Sequence, residues 1–100
     1  MPEPDIEVLT PRGLRMNIPN VDGIELVSFH ISVNKDISEL YDGDYSKDVV
    51  NPKRDKWVYE NKQLKLKFGD RLSYWIYVQY KNLGYRSGVT NYMVRGNSFK

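Results

Sequence analysis

The chain contains no cysteine. Disulfides, thiol nucleophiles and thiolate metal sites are therefore excluded together. It has one histidine, too little for the nitrogen-rich ligand set of an ordinary zinc site. No stretch approaches the ~20 consecutive apolar residues of a membrane span. Charge of one sign is lacking too. Fifteen basic residues face 13 acidic ones, for a net +2, which is too balanced to point to nucleic acid or an anionic membrane. The opening Met1-Pro2-Glu3-Pro4 has neither the basic start nor the apolar run of a signal peptide. A mature chain or a cytosolic one would read the same way. No Asn-x-Ser/Thr glycosylation acceptor occurs.

What is present is enough for one globular unit. The 100 residues are 40% hydrophobic and 28% charged, as expected of a folded domain rather than a disordered one. We expect a single domain over residues 1–100, with an ordered core over about residues 6–95.

The dominant sequence period is two, the period of a strand. Leu14, Met16 and Ile18 alternate with Arg15 and Asn17, and Leu64, Leu66 and Phe68 alternate with Lys65 and Lys67. Ile24 to Val33 reads as a longer strand. Its apolar phase shifts between Leu26 and Val27, which predicts a bulge or bend near the middle. Turns are expected at Pro11-Arg12-Gly13, Pro19 to Gly23, Asn51-Pro52-Lys53, Phe68-Gly69-Asp70 and Asn82-Leu83-Gly84. The pattern gives roughly seven strands, near Ile6, Leu14, Phe29, Trp57, Leu66, Ile76 and Met93. Short strands with regular turns predict an all-β fold, an antiparallel sandwich with an open barrel as the competing architecture. Lys35 to Asp48 does not alternate. There Ile37, Leu40 and Tyr41 have helical spacing, and Asp36 with Glu39 could form a capping box.

Arg71 to Lys81 carries the functional signal. Leu72, Tyr74, Ile76 and Val78 form an ordinary core face. The opposite face holds Arg71, Ser73, Trp75, Tyr77, Gln79 and Lys81. Residues two apart share a face and lie roughly 7 Å apart along a strand. Trp75 and Tyr77 are therefore expected to form a flat aromatic shelf in water, unless the long loop covers them. Exposed aromatic surface of that kind marks a binding site. Sugars suit such a shelf, since a pyranose offers C–H groups to a ring face and hydroxyls to polar groups at the rim. Asp44, Asp48 and Arg86 are candidate rim partners, able to make charge-assisted hydrogen bonds. Trp57 with Tyr59 reads as core, and His30 as a solvated or otherwise satisfied histidine.

Other chemistries fit poorly. Asp42, Asp44, Ser46 and Asp48 have the alternate spacing of a calcium loop, but Lys47 stands where such a loop needs Gly and Lys53 where it needs Glu. A glycosidase needs two carboxylates across a cleft, whereas these aspartates lie in one short polar segment. No catalytic residue, metal or cofactor is expected.

Several segments, taken in order, resemble the N-terminal carbohydrate-binding domain (family 39 module) of insect β-1,3-glucan recognition proteins, also called Gram-negative-bacteria-binding proteins. They are Pro11-Arg12-Gly13-Leu14-Arg15 running to Ile18-Pro19, Phe29-His30, Ser46-Lys47-Asp48, Lys56-Trp57, Leu66 to Asp70, Tyr74 to Val78 and Leu83 to Arg86. The resemblance implies an immunoglobulin-like sandwich, secretion into haemolymph, and binding of an ordered, multi-chain β-1,3-glucan that triggers Toll and prophenoloxidase cascades. It assigns ligand binding to Asp44, Asp48, Trp75, Tyr77 and Arg86. Self-association on the polymer is a further expectation, with no nucleic-acid or membrane partner. The chain departs from the family at Tyr45 and Lys47, where Trp and Arg are usual. It also departs at Ser87-Gly88-Val89-Thr90, where the family has a longer acidic segment containing Trp. A protein-interaction domain and a single-strand nucleic-acid binder, with bases stacked on Trp75 and Tyr77 beside Lys65 and Lys67, are the rival readings of the same rings.

Overall fold

A computed structural model of the chain describes residues 3–37 and 43–100. Among them are eight strands: β1 (Asp5–Val8), β2 (Leu14–Pro19), β3 (Ile24–Val33), β4 (Tyr45–Val49), β5 (Lys56–Asn61), β6 (Arg71–Tyr80), β7 (Leu83–Arg86) and β8 (Thr90–Met93). A short 3-10 turn, Gly96–Ser98, follows. Two antiparallel sheets pack face to face. One has the order β1-β2-β5; the other has the order β4-β3-β6-β7, with β8 also paired to β6. This is the all-β antiparallel sandwich expected from the period of two, of the immunoglobulin-like class that the family resemblance implied.

The core lies between the sheets. Leu14, Met16 and Ile18 from β2 meet Val27, Phe29 and Ile31 from β3 and Leu72, Tyr74, Ile76 and Val78 from β6. Each set sits at alternate positions, so the other half of each strand faces away from the core. Trp57 and Tyr59 join this core as expected, and Trp57 Nε1 donates to Asn20 Oδ1 at 2.8 Å. Burial raises the Tyr59 hydroxyl above its ordinary value against the opposing hydrogen bond from Asn61.

The structure revises four local expectations. Leu64–Phe68 is not a strand. Leu66 is buried as its phase predicted, but Phe68 is 74% exposed, because the chain there has no partner strand and turns at Gly69 (φ 90). Tyr45–Val49, read as loop, is edge strand β4. It was hidden because only its ends are apolar, and a charged, short edge is how a sheet discourages further pairing. The expected Asn82-Leu83-Gly84 turn is displaced. Lys81 and Asn82 both have positive φ, 49 and 66, and make a two-residue hairpin turn. Leu83 and Gly84 thereby enter β7. The irregularity in β3 does occur, but earlier than expected, between Ile24 and Leu26. The helical turn and capping box expected through Leu40 and Tyr41 fall largely outside the described residues.

Candidate functional site

The outer face of the larger sheet is a grid whose rows are fixed by strand register. One row runs Asp48 (β4), Ser28 (β3), Tyr77 (β6), Arg86 (β7). The next row pairs Ser46, His30 and Trp75. A third holds Ser32, Ser73 and Asn91, with the backbone N–H of Asp44 donating to Ser32 Oγ at 3.2 Å. The antiparallel register thus brings Asp48, Tyr77 and Arg86 into one line with Trp75 beside them. Asp44 lies further along the same face, near Ser32. Its carboxylate is 3.4 Å from Lys35 Nζ.

Trp75 corrects the sequence expectation. It is on the outer face, as its phase demanded, yet it is only 5% exposed, so it does not form an open shelf. The reason lies in its cross-strand neighbours. The His30 ring stacks on it with centroids 3.8 Å apart and planes 12° apart. The Arg86 guanidinium carbon lies 4.4 Å from the indole centroid, a cation–π distance. Because β3 and β7 flank β6 on opposite sides, the two partners approach opposite ring faces. The indole stands up from the sheet between them.

Tyr77 is half-buried and lies along β7. An added Cβ at Gly84 would fall 2.5 Å from Tyr77 Oη and 2.8 Å from its Cε1. The missing side chain at Gly84 is therefore what lets the phenol rest there. At the other end of the row the Ser28 hydroxyl donates to Asp48 Oδ1 at 2.5 Å. That bond orients the carboxylate of an exposed residue. Ser28, His30 and Gly84 pack against the candidate residues Asp48, Trp75 and Tyr77, and the sequence pattern did not single them out for this face. The only signal was the polar alternation Ser28, His30, Ser32 within β3, which marks an outer face but not what stands opposite.

The outer face of the smaller sheet is different in kind. Arg15 sits between Glu7 at 3.6 Å and Glu60 at 3.0 Å, and Lys62 reaches Glu60 at 3.7 Å. The Arg15 hydrogen bond holds the Glu60 carboxyl below its ordinary range. These charges answer one another and carry no aromatic ring.

Sheet order and face composition together define a β-sandwich module with one polar-aromatic sheet face. The CBM39 family model, described as a carbohydrate binding domain (family 32), matches residues 1–100, and the chain belongs to that family. It is 37% identical over 98 residues to Gram-negative bacteria-binding protein 3 of Drosophila melanogaster, covering 98% of this chain and 20% of that protein. It is 36% identical over 96 residues to Beta-1,3-glucan-binding protein 1 of Galleria mellonella, covering 96% of this chain and 19% of that one. A third relative, Beta-1,3-glucan-binding protein of Tenebrio molitor, is 37% identical over 99 residues, covering 95% of this chain and 21% of the relative. The chain thus spans about one fifth of the length of these proteins.

Proposed function

We propose that this module binds β-1,3-glucan, without catalysis, on the outer face of its larger sheet, as a secreted recognition module of insect innate immunity. The family and the printed names of its relatives support the ligand class. The observation that carries the site is the row Asp48–Ser28–Tyr77–Arg86 with Trp75 held beside it.

The geometry changes the mode of binding from the one the sequence suggested. Both faces of the Trp75 indole are taken, so a sugar does not lie flat on it. The contacts fall instead to the Arg86 donors, the Asp48 carboxylate, the Tyr77 phenol and the outer rim of the indole. Charge-assisted hydrogen bonds of this type are strong and directional. A row crossing four strands spans roughly 14 Å at about 4.8 Å per strand, wider than one sugar ring. Such breadth suits an ordered ligand presenting several chains side by side rather than a short oligosaccharide. Contacts between neighbouring copies of the module on the polymer belong to the same reading.

The test is retention of the pure domain on insoluble β-1,3-glucan, cellulose, chitin and peptidoglycan. Selective retention on β-1,3-glucan is expected. Equal retention on glucan and cellulose, or none on any polymer, would overturn the proposal in favour of a protein-interaction role for the same face.

A further inference from the structure

The stack on the outer face has a member to which no recognition role is yet attached. His30 lies on β3 directly opposite Trp75, is 8% exposed, and stacks on the indole almost in parallel. On the far side of the same indole lies the Arg86 guanidinium, carried by an edge strand whose four residues are all exposed. The order is therefore imidazole, indole, guanidinium, running from an interior strand of the sheet to its edge.

Arg86 needs such support. A free arginine side chain samples many rotamers, and ordering it on binding is unfavourable by an amount that preorganisation removes. A guanidinium laid on an aromatic face is restricted in plane while its N–H donors stay available at the edge. The indole can do this only if it does not tilt. Its attachment at β6 fixes one end, and a flat ring against its other face blocks collapse toward β3. Ser28 and Ser46, the neighbours of His30 on this face, are too small to fill that space.

We infer that His30 is a positioning residue for glycan recognition: it braces Trp75 from behind, and Trp75 in turn presents the Arg86 guanidinium to the ligand. The inference rests on the glucan-binding reading above. It gives Trp75 an indirect part, holding a hydrogen-bonding cation in place more than stacking on sugar. What this brace requires of position 30 is a flat ring against the indole.

The test compares His30→Phe, which keeps a flat ring, with His30→Leu, which keeps apolar bulk without one. Each is measured for retention on insoluble β-1,3-glucan and for thermal unfolding. Acrylamide quenching of Trp75 is followed in a Trp57→Phe background. His30→Leu should weaken binding by about tenfold, in line with the ordering cost of the two side chains it frees. His30→Phe should keep at least about threefold more affinity than His30→Leu, with thermal unfolding confirming that both variants are folded. Quenching should rise for His30→Leu alone. The inference is overturned if His30→Leu binds like the parent, or if His30→Phe is as weak as His30→Leu. A parent that does not bind glucan defeats the functional reading instead. The brace is then judged by quenching alone, and equal Trp75 accessibility in the two variants overturns it.

Discussion

The two tryptophans are almost equally hidden, Trp57 at 2% and Trp75 at 5% exposure, but they are hidden by different things. Trp57 points between the sheets into a cluster that includes Ile18 and Phe29, and Asn20 satisfies its N–H. Trp75 points away from that cluster and is covered by a histidine and an arginine that are themselves on the outer face. A ring enclosed by core neighbours contributes its apolar area to stability. A ring enclosed by polar side chains on a sheet surface contributes mostly to their geometry. Low exposure alone does not separate the two roles; the chemistry of the neighbours does.

The largest expected effect tests this contrast directly. Trp57→Ala should destabilise the domain by about 3–5 kcal/mol, as large aromatic truncations in cores do, read from urea unfolding. Trp75→Ala should cost less in the same measurement, about 1–2 kcal/mol, yet remove detectable retention on β-1,3-glucan, a loss of about 2 kcal/mol or more. Equal destabilisation by the two substitutions would erase the distinction. Retention of glucan by Trp75→Ala would remove the stack from recognition altogether.

A smaller effect is expected at Gly84. Alanine there would press a methyl group into the Tyr77 ring, which must swing off β7. Glucan affinity should fall by about threefold to tenfold, with stability within about 1 kcal/mol of the parent because the phenol is not in the core. An isothermal or pull-down measurement showing unchanged affinity would mean that the pose of Tyr77 on β7 does not matter to the ligand.

The smallest effect is a pH dependence that belongs to the framework and not to the outer face. Burial alone would raise the Asp70 carboxyl. The Lys67 backbone N–H at 2.9 Å and the Asn34 side-chain amide at 3.1 Å outweigh that, with help from the Lys67 charge, and hold it below its ordinary value. A carboxylate with a lowered folded pKa adds stability above its unfolded pKa of about 3.9 and loses it as pH falls through the folded value. Asp70→Asn should therefore flatten the acid limb of a stability profile below about pH 4. An acid limb identical to the parent's would place that dependence elsewhere, with Glu60 and its Arg15 partner the next group to examine.

Much of the sandwich was legible because local alternation reports which side of a strand is dry. Leu72 to Val78 could be assigned to the core, and Trp75 with Tyr77 to the opposite face, from eleven consecutive residues of sequence, Arg71 to Lys81. Trp57 and Tyr59 were legible as core for a related reason: they share one face of a strand whose other face carries the charged Lys56 and Glu60. Edge elements were harder. β4 is short and mostly polar, so its pattern resembles that of a loop, and only pairing with β3 makes it a strand. Leu64 to Phe68 shows the reverse, a clean alternation with no strand beside it to complete the ladder.

The sequence by itself determined the period, the fold class, the position of most turns and the face on which each β6 side chain stands. Each of these follows from a backbone that puts neighbouring side chains on opposite sides. Only the tertiary structure decided who meets whom across that face: His30 behind Trp75, Arg86 in front of it, Ser28 against Asp48, and Tyr77 over the bare backbone of Gly84. Those meetings depend on register and strand order, which are set by hydrogen bonds between segments distant in the chain and leave no mark in local alternation. That is why an open shelf was the natural expectation from one strand, and why three neighbouring strands together make a closed stack.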